Sequence, residues 1–344
     1  MKERVRWIDI SRGIAIVLVV MAHVISSYQE TGMYKDSVAF AFIHQFIYSF
    51  VMPVFMIVSG YLVARGKRRG TKGQQVLQKL INYGIPYVIF SVVWVLMKTL
   101  MSGVTNSKIS FTDLLWIPVF PISFMWFLYA LMLMQIIQVF ITTDSKVFKA
   151  IHLLLALAGY ICRSYLNDAL AGTRFSESFV NDILRTYVFF LIGVYLAESV
   201  INALHRYRCA ATVIGGILLI GGNIVKFMGL FPASNTVNFL LSLAGSVFLV
   251  ELSVIIGKCG LLEYLGKQSL PIYVLQGLAI SSSRLLLTKL HMNDPFGIVP
   301  MIVCTVTGCL LPLCAYWLST KIWKLEFCFY PGKFLKVCKP RARG

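Results

Sequence analysis

An arginine and a histidine stand at the two ends of one apolar run, RGIAIVLVVMAH, Arg12 to His23. Histidine suits a general base, because its ordinary pKa lies near neutrality. Arginine suits an anion, because its planar guanidinium offers forked donors to carboxylate or phosphate. Eleven residues at 3.6 per turn make just over three turns, so the two side chains share one helix face about 16 Å apart along the axis. Asp9 precedes Arg12 by three residues and falls on nearly the same face. A charge inside a bilayer is costly unless it faces protein or water, so the stripe suits the lining of an interior cavity. The competing account is an Arg12 that snorkels to headgroups and a His23 that only packs.

A second basic group follows the next apolar run, RGKRRGTK, 65–72. Positive-inside topology explains most of its charge. Arg65 and Arg68 nevertheless stand three apart, with Lys67, Arg69 and Lys72 around them, and guanidinium pairs recognise phosphate. A basic mouth, an inward arginine and a deeper histidine describe a path. It fits a ligand with phosphates at one end and a reactive group on a long thin arm.

The elements that must hold these residues are read from composition. Of 344 residues, 58% are apolar and 13% are charged, against about 25% charged in soluble domains. The chain is therefore expected to live mainly in lipid, as an all-α, polytopic membrane helix bundle. Ten apolar runs of spanning length fall at about 8–29, 40–64, 80–102, 118–140, 148–166, 181–203, 209–228, 236–256, 268–289 and 297–320. Residues 1–325 then form one membrane domain and 326–344 a basic cytoplasmic tail. There is no long soluble insert and no detectable repeat.

The net charge of +18 would suit nucleic acid, but the basic residues sit in short segments between apolar runs. With the N-terminus inside, residues 1–7, 65–79, 205–208 and 321–344 hold 18 Lys and Arg. The intervening outer segments hold five: Lys35, Lys108, Arg163, Arg174 and Lys289. Both termini are therefore expected in the cytoplasm. The outer loops are short, 103–117 and 167–180 being the largest. Extracytoplasmic chemistry would have to use the bundle's own outer mouth. Asp9 and Arg12 interrupt what could be a signal-peptide junction, so the first helix is expected to stay. The eight cysteines form no CxxC pair, which points to small buried hydrophobes and to neither a disulfide framework nor a metal site. Glu251, well inside a span, would need a buried cation or hydroxyl partner.

Taken together, these residues resemble the acyltransferase-3 family of integral membrane acyltransferases. RGIAIVLVVMAH matches that family's Arg-x10-His motif in the first helix, and RGKR (65–68) its Arg-x-x-Arg motif. MPVFMIVSGYL (52–62) is similar to the second-helix signature. WFLYAL (126–131) and LGKQSLPIYVLQ (265–276) are similar to further family segments. Order and spacing carry the resemblance more than any single motif. It is nearest to the small fucose 4-O-acetylase-like members and other surface-glycan O-acetylases.

The resemblance implies an acetyl-CoA-dependent O-acetyltransferase of the bacterial cytoplasmic membrane. Acetyl-CoA, or another acyl-CoA, is the donor from the cytoplasm, and no cofactor is bound permanently. A hydroxyl of a cell-surface or lipid-linked glycan is the acceptor. His23 is then the general base. Arg12, Arg65 and Arg68 bind the CoA phosphates with Lys72 in support, and the pantetheine arm runs along the helix-1 stripe. Asp9 holds Arg12. Ser59, Gly60 and Tyr61 lie beside the arm, or make a small-residue helix contact.

Two positions depart from the family pattern. Val51 stands where many relatives have histidine in Phe-His-Met-Pro, and Gln276 where many end the helix-9 segment in histidine. His44, two turns before Val51, is a substitute candidate or a packing histidine. Trp126, Tyr129, Asn223 and Gln276 are polar groups inside spans whose mutual placement the sequence does not give. No nucleic-acid partner is expected beside membrane lipids, and a homo-oligomer is compatible with the chain. The alternative from another class is a transporter or flippase for a lipid-linked sugar, which needs neither acyl-CoA nor a single essential base.

Overall fold

The computed structural model describes residues 5–100, 111–231, 234–292, 294, 296–322, 325–335 and 337. Helices α1 to α5 are Arg6–Glu30, Val38–Arg65, Lys72–Lys79, Ile85–Leu100 and Trp126–Phe140. Helices α6 to α9 are Lys146–Ala169, Phe179–Tyr195, Ala197–Leu204 and Arg208–Phe227. Helices α10 to α13 are Asn235–Ile256, Gly260–Lys267, Ser269–Lys289 and Ile298–Lys321. Among the described residues, nine helices are long and apolar enough to cross a membrane, or ten if the broken pair α7–α8 counts as one. The protein is an all-helical, multi-pass membrane protein.

Three elements differ from the expectation from sequence. The third span begins earlier, at Lys72, because α3 runs through one π-helical turn, Leu80–Gly84, into α4. Residues 111–122 are not α-helical, so the fourth span starts only at Ser123. A short helix, α11, lies in the segment before α12. Pro53 and Pro312 sit inside α2 and α13, as membrane helices tolerate.

The chain divides into two compact units, Met1–Val58 with Leu196–Leu318, and Ser59–Tyr195 with Ser319–Gly344. In the first unit α1 packs on α10, α11 and α12. The approach of α1 and α11 is backbone to backbone. A Cβ on Gly13 would overlap the Leu262 carbonyl, and one on Gly266 would overlap the Asp9 carbonyl. Small residues let membrane helices close to this distance, where dispersion rather than water drives packing. A polar lock joins α2, α9 and α10. Asn223 Nδ2 donates to Ser49 Oγ at 3.2 Å, Gln45 Nε2 to Asn223 O at 3.3 Å, and Ser242 Oγ to Ser49 O at 2.6 Å. Glu251, fully buried in α10, has the Arg208 guanidinium 3.6 Å away at the start of α9.

In the second unit α7 packs on α5 and α6. The π turn places Tyr83 OH to accept from Gln135 Nε2 at 2.8 Å, and Lys79 Nζ donates to Gln135 Oε1 at 2.6 Å. Residues 325–335 also pack here. Phe329 lies on Phe90 with ring centroids 4.9 Å apart, and Val337 N donates to Gln78 Oε1 at 3.2 Å.

Candidate active site

The first unit carries Asp9, Arg12, His23 and His44. The α1–α11 contact fixes the first turns of α1 against the segment that leads into α12. From there the Arg12 guanidinium donates to Ser269 Oγ at 2.8 Å. Ser269 is buried in the first turn of α12, and Asp9 is buried one turn before Arg12 on α1. A hydrogen bond from a charged donor is stronger than a neutral one, about 1.5–3 kcal/mol net. Arg12 is thus held by the LGKQSLPIYVLQ segment.

Just over three turns further along α1, half-buried His23 meets Tyr48 edge to face, with ring centroids 6.2 Å apart. His44, one turn before Tyr48 on α2, lies 4.6 Å from the same ring. Its Nε2 is 2.9 Å from Ser26 Oγ on α1, with the donor set by the histidine tautomer. Spacings of three on α1 (His23, Ser26) and four on α2 (His44, Tyr48) turn both pairs to one interface. The cluster thus contains two imidazoles, a phenol and a hydroxyl, able to take and pass a proton. Tyr48 and Ser26 are not among the candidates named from sequence. Their signal was there as helical spacing from the two histidines.

The two substituted positions are buried. Val51 is 1% exposed and Gln276 is fully enclosed. Gln276 Nε2 donates to Tyr273 O of its own helix at 3.3 Å.

The second unit carries Ser59, Gly60, Tyr61, Arg65, Arg68 and Lys72. Gly60 makes a close helix contact, since a Cβ there would overlap the Phe190 carbonyl of α7. Arg65 donates to Tyr61 OH at 2.5 Å. Arg68 donates to the carbonyls of Gln138 and Ile141, at 3.2 and 2.7 Å. It therefore caps the end of α5, where carbonyls and helix dipole favour a cation. Lys72 Nζ lies 5.9 Å from the Phe140 ring centre. Thr71 and Gln74 form a reciprocal capping box that starts α3. Tyr129 OH donates to Pro118 O at 2.9 Å, so that hydroxyl ties down a loop.

The multi-span bundle thus carries an arginine near the start of its first helix and an imidazole cluster between its first two helices. The acyltransferase domain family model matches residues 5–314. The chain belongs to this acyltransferase-3 family. Among curated proteins it is similar to nodulation protein NolL of Sinorhizobium fredii (strain NBRC 101917 / NGR234). The two are 29% identical over 199 residues, 56% of this chain and 48% of that protein. NolL of Mesorhizobium japonicum is 28% identical over 196 residues, with the same coverage. The chain spans about half the length of the curated relatives it matches. No solved structure matches.

Proposed function

We propose that this protein moves an acetyl or similar acyl group from cytoplasmic acyl-CoA to a hydroxyl of a cell-surface or lipid-linked glycan, in a bacterial plasma membrane with both termini inside. The observation that carries this reading is the His23–Tyr48–His44 cluster on the helix whose inner end holds Arg12 on Ser269. His23 removes the acceptor hydroxyl proton as the oxygen attacks the thioester carbonyl. The tetrahedral intermediate then collapses, the carbon–sulfur bond breaks, and the proton passes from His23 to the CoA thiolate. Tyr48 packs against the ring of His23. His44, held by Ser26, is the second basic group of the cluster.

Arg12 supplies a fixed cation for the donor phosphates, with Asp9 holding it. Arg65, Arg68 and Lys72 are the further basic candidates for the same phosphates, on the strength of the RGKR pattern. Arg68 would exchange two carbonyl acceptors for phosphate oxygens. Ser59, Gly60 and Tyr61 would flank the pantetheine arm.

The test compares cells carrying wild-type or His23→Ala protein at equal membrane abundance, with surface-glycan O-acylation read by mass spectrometry and acetyl-CoA binding read on purified protein. Loss of the acyl mass increment with donor binding retained is expected. Unchanged acylation in His23→Ala cells ends the mechanism.

A further inference from the structure

We propose that a cavity of about 440 Å³ in the second unit is a docking subsite for a neutral sugar residue of the acceptor glycan. The proposal deepens the glycan O-acylation reading and rests on it for the identity of the ligand as acceptor. The cavity is formed by loop residues 113–126 and 174–177 with the first turns of α7. Its volume lies in the range of small-ligand sites, about 300–1,000 Å³.

The chemistry of the walls selects the ligand. Trp116, Phe120 and Trp126 supply aromatic surface. Trp116 is 54% exposed and offers its ring system to the C–H face of a pyranose. Asp113, Glu177 and Asp182 supply carboxylate acceptors, and Arg174 and Arg185 supply donors. Sugar hydroxyls use both. Three carboxyl groups against two guanidinium groups leave no positive excess for a phosphate or a uronate. Each arginine also has a carboxylate partner, Arg174 with Glu177 at 2.9 Å and Arg185 with Asp182 at 2.9 Å. Each is stacked as well, 4.2 Å from the Phe120 centroid and 4.0 Å from that of Trp126. The lining is too polar for a lipid chain and too well neutralised for an anion.

The cavity is also built rigidly. Three successive carbonyls of its main loop accept from three different helices. Tyr87 OH on α4 donates to Ile117 O at 2.6 Å, and Tyr129 OH on α5 to Pro118 O at 2.9 Å. The backbone N–H of Phe179, at the start of α7, donates to Val119 O at 3.0 Å. A loop pinned at consecutive residues loses little freedom when a ligand binds. Packing of the loop alone does not require acidic and aromatic groups to face one hollow. These are also the loops that the Lys and Arg bias assigns to the outer side, where a surface glycan is presented.

The experiment uses the full chain in lipid nanodiscs and saturation-transfer NMR. The probes are methyl glycosides of glucose, galactose, N-acetylglucosamine and a 6-deoxyhexose, with methyl glucuronide as the charged arm. At least one neutral glycoside is expected to bind, and more tightly than the glucuronide. Trp116→Ala should weaken it about tenfold, the usual scale for truncating an aromatic anchor. Asp113→Asn, which keeps size and shape, should weaken it measurably. The proposal is overturned if no neutral glycoside binds, if both variants bind as the wild type does, or if the glucuronide binds tightest. His23→Ala protein should bind the glycosides normally while losing acyl transfer. If it still transfers, the proposed mechanism falls, while the glycoside titration decides the cavity independently.

Discussion

Arg12 on α1 and Ser269 at the start of α12 are joined by a 2.8 Å hydrogen bond, although 257 positions separate them in the chain. The bond exists because Gly13 and Gly266 let α1 and α11 touch backbone to backbone. Position 269 is thereby carried to the guanidinium. Ser269→Ala removes this acceptor and loosens the direction of the Arg12 guanidinium. The expected result is a rise in the acyl-CoA KM of about tenfold, with kcat little changed, since about 1.5–3 kcal/mol attaches to such a bond. Ser269→Thr, which restores a hydroxyl, should recover most of it. An unchanged KM in Ser269→Ala would show that this bond does not orient Arg12 for the donor.

Gly266→Ala tests the helix contact itself. The added methyl would overlap the Asp9 carbonyl oxygen, so α1 and α11 must separate. Overpacking of this kind costs about 1–3 kcal/mol, or more where the obstacle is backbone. A fall in the melting midpoint in detergent is expected, larger than for Gly221→Ala on α9, where a Cβ meets nothing. Equal midpoints would mean the crossing relaxes without cost.

The spans were legible because apolar runs of this length have one stable answer in lipid, and apart from the starts of the third and fourth spans the helix ends lie within a few residues of the apolar limits. What hydropathy cannot show is a short amphipathic helix such as α11, or a loop that begins where an apolar run already reads as helix, as at 118–122. Arg12 and His23 were legible as a pair because both sit on one helix with a countable period. Ser269 was inside a recognised segment, yet its partnership with Arg12 depends on a glycine contact between distant stretches. The Trp116 cavity was not legible at all. Its walls come from two loops and a helix start, and sequence spacing carries no information about how pinned loops meet.

Asp294 caps α13, and its carboxylate accepts from the backbone N–H groups of Phe296, Ile298 and Val299 at 2.9, 3.2 and 2.8 Å. Desolvation pushes its pKa up, but the backbone donors at Val299, Ile298, Phe296 and Gly297 outweigh that and hold it below the ordinary carboxylate value. A lowered folded pKa means the stabilisation is present above the unfolded pKa, about 3.9, and is lost as pH falls through the folded value. Hydrogen exchange at Ile298 and Val299 should therefore accelerate towards low pH, relative to helix-interior amides. Asp294→Asn keeps a capping oxygen without the charge and should remove that acid-specific loss. An unchanged acid response in Asp294→Asn would show that another group sets it.

His23 and His44 can be separated by kinetics because they stand differently towards Tyr48. His23 meets the edge-to-face side of that ring at 6.2 Å, on the same helix as Arg12. His44 lies closer, at 4.6 Å, and is tied to Ser26. If His23 is the base, His23→Ala should lower kcat by about 10²–10⁴, the range for a positioned acid–base group. His44→Ala should lower it less, because its loss removes a supporting hydrogen bond and ring contact but not the proton acceptor. Tyr48→Phe keeps the ring that packs both imidazoles and removes only the hydroxyl, so it should retain more activity than Tyr48→Ala. The double variant His23→Ala/His44→Ala should then match His23→Ala alone, as expected of a supporting residue that acts through the base. Multiplicative losses in the double variant would instead make the two histidines independent. In that case the proton relay belongs to two sites on α1 and α2 rather than to one.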